Sequence, residues 1–156
     1  MLSSLIYHAK ILIKGKRTFN QIKNYRRYLK SSLTTYLRYN PLFLSILPTD
    51  KCNLNCKMCQ THSPFIPDHK YRHKPVQDMS FELFRQILNK FSDALQVQLI
   101  GTGEPLLNKD LFKMIEYAYR KRMEVGVETN GTLIEKFLYE ILKAPITYFF
   151  ISINGH

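Results

Sequence analysis

The 156-residue chain reads as an α/β protein: about four parallel strands joined by crossover helices, preceded by a basic N-terminal helical segment. Three observations predict this. From residue 41 onward, strand-sized apolar runs alternate with helical-period stretches in the order β-α-β-α-β-α-β, a pattern that favours a parallel sheet with right-handed crossovers. Polar and glycine-rich signatures follow the strands, at the ends where α/β folds bind ligands. The excess of positive charge lies mostly at the start of the chain. Residues 1–49 hold nine Lys/Arg and no acid, whereas residues 50–156 hold 14 basic and 12 acidic residues.

A hydrophobic content of 45% supports one domain core and excludes a disordered tail. No apolar run approaches the ~18 residues of a membrane span. Residues 1–13 carry neither a basic leader region nor a small-residue cleavage site, so a cytoplasmic location is expected. The chain divides into a helical segment, 1–40, and a body, 41–156.

In the first segment Ile22, Tyr25, Leu29, Leu33, Tyr36 and Leu37 recur at helical spacing, with Lys23, Arg26, Arg27 and Lys30 off the stripe. Gly15 breaks an earlier helical stretch, Leu2 to Ile13. Such a helix either packs its aromatic stripe on the body or lies against RNA or an anionic membrane, and solvated charged faces favour packing. Leu42 to Leu47 predicts a buried strand closed by Pro48. Residues 48–78 form a long polar loop, usually a functional feature in a compact domain. Ser80 caps a helix carrying Phe81, Phe84, Ile87, Leu88 and Phe91. Leu95 to Ile100 is the second strand. Asn108 caps a helix with Leu111, Met114, Ile115 and Ala118 inward. Val125 to Glu128 is the third strand. Thr132 and Glu135 have capping-box spacing for a third helix, which Pro145 stops. Ile146 to Ile153 is the fourth strand.

All three cysteines, Cys52, Cys56 and Cys59, fall within eight residues. This is no disulfide framework. Three clustered thiolates suit three irons of a [4Fe–4S] cube, with the fourth iron open to a small molecule. Zinc competes, because His62 would complete a Cys3His tetrahedron. Gly101-Thr102-Gly103-Glu104-Pro105 allows close backbone approach to a ligand or simply turns the chain, and Glu104 either faces the site or assists the next helix. Thr129-Asn130-Gly131-Thr132 is a good turn by itself. Ser152 offers a hydroxyl to a ribose or to neighbouring backbone.

Together the four signatures, in this order, resemble the radical S-adenosylmethionine (radical SAM) superfamily over roughly residues 42–156. Cys52-Asn-Leu-Asn-Cys56-Lys-Met-Cys59 is similar to its CxxxCxxC loop, and Gly101-Thr-Gly-Glu-Pro-Leu-Leu-Asn108 to its GGEP-type motif. Glu128-Thr-Asn-Gly-Thr132 is similar to its TNG segment, and Ile151-Ser-Ile-Asn-Gly155 to its strand-four motif. The resemblance implies that Cys52, Cys56 and Cys59 ligate a [4Fe–4S] cluster. It also implies that Met58, Gly101, Thr102, Gly103, Glu104, Asn130 and Ser152 bind S-adenosyl-L-methionine. An external electron donor would then reduce the cluster and release a 5′-deoxyadenosyl radical, which abstracts hydrogen from a peptide, sugar or other small substrate.

The family core is a partial (β/α)6 barrel. The resemblance therefore implies an incomplete barrel here: the N-terminal portion of the core domain, as a fragment or one half of an enzyme, completed by a second polypeptide. The basic helix and the GxGEPLLN motif are similar to the SPASM-type subgroup. A different class of function, a non-catalytic zinc or iron–sulfur module whose basic helix contacts RNA or anionic membrane, draws on the nine unopposed charges.

Overall fold

Leu44, Ile46, Val97, Leu99, Val125 and Val127 occupy alternate positions on three strands, and all six are buried on one face of a single sheet. In the computed structural model, which describes residues 17–31, 39–66 and 77–153, the strands are β1 (Phe43–Ile46), β2 (Gln96–Leu99), β3 (Glu124–Thr129) and β4 (Tyr148–Ile151). They lie in the order β1-β2-β3-β4, every neighbouring pair parallel. Each crossover thus advances one strand in the same direction, which is the winding of a barrel wall and not of a doubly wound sheet.

The connections carry α2 (Phe81–Lys90), α3 (Leu111–Arg120) and α4 (Leu138–Lys143); α1 (Phe19–Ser31) precedes β1. Phe84 and Leu88 of α2 join Leu111, Met114, Ile115 and Ala118 of α3 against the buried strand residues. Full burial of each large side chain contributes about 1.5–3 kcal/mol. The opposite face is left open among the described residues: Phe43, Ser45 and Phe150 are exposed, Gln98 and Glu128 half-buried. The expected strand over Leu42 to Leu47 is therefore shorter and one-sided, because no second layer covers it.

Other boundaries shift for identifiable reasons. Ser80 caps α2 as expected, its Oγ accepting the Leu83 N–H at 3.2 Å. The residue capping α3 is Asp110, however, not Asn108. The Asn108 side chain is buried, accepts the Asp110 N–H at 2.8 Å, and donates to the carbonyls of Pro48 and Met79. The third helix begins at Leu138, six residues later than Thr132. Asn130 Oδ1 takes both the N–H and the hydroxyl of Thr132, so Thr132 serves the preceding turn and no capping box forms. The regular part of the last strand covers Tyr148–Ile151, within the expected 146–153, and β3 gains one residue at each end.

Helix α1 occupies part of the expected helical segment; Leu2 to Ile13, Gly15, Leu33, Tyr36 and Leu37 lie outside the described residues. Its buried face is Gln21, Asn24, Tyr25 and Ser31, while Ile22 and Leu29 of the predicted stripe stay exposed. The reason is the surface beneath it, which is the strand-entry end of the sheet and presents backbone carbonyls. Gln21 Nε2 donates to Ala94 O at 2.8 Å and Lys121 O at 3.2 Å. Asn24 Nδ2 donates to Asn40 O at 3.1 Å and its Oδ1 accepts the Asn40 N–H at 2.9 Å. Arg17 donates to Leu95 O at 2.7 Å and Arg122 O at 3.0 Å, and pairs with Glu124 at 2.7 Å. Lys23, Arg26, Arg27 and Lys30 face outward, the arrangement of a helix packed on the body.

The Arg17 side chain is only 1% exposed. Replacing its carboxylate partner, Glu124→Gln, removes the charge that this buried guanidinium meets at 2.7 Å and is expected to cost about 3 kcal/mol in urea unfolding. A loss below ~0.5 kcal/mol would show that solvent screens the pair.

Candidate functional site

Parallel pairing places the ends of all four strands on one side of the molecule, and the chain builds the candidate site there from its loops. The β1 loop is held by a short bridge between Thr49 and Asp78. Thr49 Oγ1 donates to Asp78 Oδ1 at 2.6 Å, Lys51 Nζ reaches Asp78 Oδ2 at 2.7 Å, and the Glu104 N–H donates to Lys51 O at 2.7 Å. Gly103 lies directly on this backbone. A Cβ at that position would collide with the carbonyl oxygens of Thr49 and Lys51, so glycine is required by close approach of two main chains.

Burial pushes the Asp78 carboxyl upward, but hydrogen bonds from Lys51 and Thr49 and the charges of Lys51 and Lys109 outweigh it and hold it below its ordinary value. The three cysteines follow on a loop of turns, all free and half-buried. Cys59 Sγ accepts the N–H groups of Thr61 at 3.5 Å and His62 at 3.2 Å and lies 3.4 Å from the Thr61 hydroxyl. Burial raises this thiol; the hydrogen bonds from Thr61 and His62 overcome it and keep Cys59 below the usual thiol value. That favours the thiolate, the form that binds metal.

Glu104, 1% exposed, ties the second signature to the third. Its Oε1 accepts the Leu106 N–H at 3.1 Å and the Thr129 hydroxyl at 2.7 Å, and its Oε2 accepts the Asn130 N–H at 2.7 Å. Asn130 reaches the cysteine loop, with Nδ2 2.9 Å from Asn53 Oδ1 and 3.9 Å from Cys52 Sγ. Gly131, at φ +83°, turns the chain in a conformation that favours glycine. The Ser152 N–H donates to Thr129 O at 2.8 Å, which brings the fourth signature alongside the third.

The structure thus brings Cys52, Gly103, Glu104 and Asn130 into one connected network. Gly101 and Thr102 stand at its exposed rim, with Thr102 Oγ1 3.4 Å from Asp50 Oδ1. Met58 is exposed and outside the network. Sequence reasoning passed over Thr49, Lys51, Asp78 and Asn53. All are polar residues in a polar loop; Thr49 and Lys51 find Asp78 only once β1 and the segment before α2 meet, and Asn53 finds Asn130 and Thr132 only at the end of β3.

The donor set fits an iron–sulfur cluster: three soft thiols, none in a disulfide, on one loop beside strand ends. Among the described residues, no three of His, Cys, Asp and Glu are gathered closely enough to hold a metal ion. Metal binding and ordering of a site are commonly coupled. His62 uses its main-chain N–H on Cys59, and the Cys3His tetrahedron that zinc would need is not preformed.

Gly103→Ala should lower stability by about 1–3 kcal/mol or more, since rigid backbone must move. Gly101→Ala should cost less, because its Cβ would meet only the Leu47 side chain. Thermal unfolding of the two variants measures the difference. The depressed Asp78 value also sets a pH dependence. Its stabilisation of the loop is complete above the ordinary carboxylate range and is lost as pH falls through the folded-state value. Limited proteolysis of the wild-type loop should therefore accelerate on acidification, from about pH 5 downward. Asp78→Asn should be cut faster at neutral pH and respond less to acid.

Residues 46–156 match the profile of the Radical SAM superfamily. The chain is 28% identical over 117 residues to GTP 3′,8-cyclase of Aliarcobacter butzleri, covering 72% of this chain and 34% of that protein. Among solved structures it is similar to BtrN in complex with AdoMet and 2-DOIA, with TM-score 0.59, 22% identity, and coverage of 75% of this chain and 47% of that one. It is also similar to Streptococcus suis SuiB bound to S-adenosylmethionine, with TM-score 0.54, 23% identity, and coverage of 80% and 27%. These likenesses show the fold, an α/β partial barrel. The chain spans about a third of the length of the curated relatives it matches. No helix among the described residues is long and apolar enough to cross a membrane. The superfamily's cofactors are a [4Fe–4S] cluster and S-adenosylmethionine, which is the chemistry that three clustered thiols on this sheet accommodate. With its cysteine loop, its strand-end signatures and its sequence over residues 46–156 in agreement, the chain belongs to the radical SAM superfamily.

Proposed function

We propose that residues 41–156 form the N-terminal, cofactor-binding portion of a radical SAM enzyme's core, with residues 1–40 as a helical segment whose α1 packs beneath it. Cys52, Cys56 and Cys59 hold the [4Fe–4S] cluster. Gly101, Thr102, Gly103, Asn130 and Ser152 line the S-adenosylmethionine site, and Met58 covers the adenine. Glu104 shapes this site chiefly by fixing the Asn130 turn. When bound, the two cofactors supply a 5′-deoxyadenosyl radical for hydrogen abstraction from the substrate. One observation carries the reading: Glu104 and Asn130 link the second and third strand-end signatures to the Cys52 loop through direct hydrogen bonds.

The uncovered sheet face, with Ser45, Gln98, Gly126 and Tyr148 in one row, is the side on which the substrate belongs. SuiB has been solved bound to its precursor peptide SuiA and BtrN with AdoMet and 2-DOIA, which supports a peptide or a small molecule as the substrate class; the likeness to SuiB also supports a place in the SPASM-type subgroup. A cytoplasmic setting, where thiols stay reduced, suits both the cysteines and an external electron donor.

The barrel is completed at β4, which with β1 is one of the two strands whose outer edge is unpaired among the described residues. Phe150 is 49%, Ile151 48% and Ile153 84% exposed, and Leu138, Tyr139 and Leu142 of α4 are exposed as well. An apolar parallel edge of this kind invites a further strand. The occupant is a segment carrying the remaining strands, on this polypeptide or a second one.

Anaerobic reconstitution with iron and sulfide should give a brown protein with iron and sulfide each at about four per chain. Cys52→Ala, Cys56→Ala and Cys59→Ala should each lose most of that iron. A colourless chain binding one zinc tightly would overturn the assignment. The 156-residue chain alone should turn over little S-adenosylmethionine, since an open pocket loses orientation and water exclusion. Co-expression with a segment supplying the remaining strands should restore cleavage. Robust cleavage by the monomeric chain would show that four strands suffice.

A further inference from the structure

Three polar side chains at the site close a ring of hydrogen bonds. Asn130 Nδ2 donates to Asn53 Oδ1 at 2.9 Å, Asn53 Nδ2 donates to Thr132 Oγ1 at 2.8 Å, and Thr132 Oγ1 donates to Asn130 Oδ1 at 2.6 Å. Each member is donor and acceptor in the same sense around the ring, the arrangement in which hydrogen bonds reinforce one another. The ring spans 79 residues of sequence between Asn53 and Thr132. It therefore contributes nothing to local turn formation at Asn53 and adds a direct tie between two loops that otherwise meet through Glu104 and the Asn130–Cys52 contact.

The anchoring of the ring is one-sided. On the β3 side, the Asn130 N–H is held by Glu104 Oε2 at 2.7 Å, the Thr132 N–H by Asn130 Oδ1 at 3.0 Å, and the Gly131 N–H by Thr129 Oγ1 at 3.1 Å. This turn grows from a buried carboxylate and is rigid. Asn53, by contrast, is exposed and sits on the cysteine loop, directly after Cys52. Asn130 Nδ2 also lies 3.9 Å from Cys52 Sγ. The better-anchored partner thus orients the more exposed one, and one of its N–H groups is directed toward the first thiol.

We propose that Asn53, Asn130 and Thr132 form a latch that fixes the Cys52 end of the cysteine loop to the β3 turn. Asn53 and Thr132 are positioning residues, and the Asn130 amide supplies a hydrogen bond to the Cys52 sulfur when it ligates the cluster. The cluster part rests on the function proposed above. Hydrogen bonds to ligating sulfur are among the features that set an iron–sulfur potential, and they stabilise the more electron-rich, reduced state. Releasing the latch therefore lowers the potential. The latch itself exists without metal and is measurable without it.

The full chain is compared with Asn53→Ala, Thr132→Val and Thr132→Ser, the last of which retains the hydroxyl. In the metal-free protein, iodoacetamide labelling at Cys52 is followed by mass spectrometry, with Cys59 as internal reference. Labelling of Cys52 should be about fivefold faster in Asn53→Ala and Thr132→Val, the equivalent of one net hydrogen bond lost. Thr132→Ser should label at the wild-type rate. After reconstitution, the midpoint potential of the cluster should be more negative in Asn53→Ala and Thr132→Val and unchanged in Thr132→Ser. Equal Cys52 labelling in all four proteins overturns the latch, and equal potentials overturn its reach to the sulfur. If the wild-type chain takes up no cluster, the proposed function fails, while the labelling rates still decide the latch.

Discussion

Glu104 sits at the junction on which the candidate site depends. A buried carboxylate is costly unless hydrogen bonds replace its water, and here three donors do so from two separate stretches of chain: Leu106 just beyond it, and Thr129 and Asn130 at the end of β3. Its own N–H is committed to Lys51 of the β1 loop. One residue therefore joins three strand ends. The arrangement works only because Gly103, immediately before it, lets the β2 turn lie against the Thr49–Lys51 backbone. Buried polar networks of this kind specify a unique geometry when fully satisfied.

The two ends of the sheet use polar residues differently. At the strand-entry end, Arg17, Gln21 and Asn24 bind main-chain carbonyls and close the base of the structure. Arg17 and Gln21 reach the body's own carbonyls at Leu95, Ala94 and Lys121, which makes the contact one of fixation. At the exit end the polar groups bind one another around turns, and the three thiols stay outside any disulfide. The helix-covered core between the ends keeps them in register. The parallel ladder transmits that alignment, since a one-residue slip would send Leu44, Val97 and Val125 to the open face.

The open face and the β4 edge share a physical origin. Apolar strand residues alternate so that a single layer of helices satisfies one face only, and the second face carries a mixture of Ser45, Gln98, Glu128 and Phe150. Such a mixture is poorly suited to packing against another layer of core and well suited to lining a cavity. Exposed apolar groups also stand on β4 and α4, among them Ile151, Leu138, Tyr139 and Leu142.

Periodicity sufficed for the order of elements, because strand and helix periods are local properties that core packing here obeys. It sufficed for α2 and α3 almost to the residue. It misjudged α4, where the Thr132 hydroxyl and N–H both bind Asn130, and it misplaced the α3 cap, because Asn108 is drawn inward by carbonyls of Pro48 and Met79. The buried face of α1 was misread because Gln21 and Asn24 look like surface residues until a carbonyl-rich base is set beneath them. Spacing alone singled out Cys52, Cys56 and Cys59 as a metal set, since thiol chemistry is a property of residue type. The partnership of Glu104, Asn130 and Asn53, and the pairing of Thr49 and Lys51 with Asp78, were decided by tertiary structure. Hydrogen bonds between residues some 25 to 80 positions apart have no local signature and arise only when parallel strands bring their ends together.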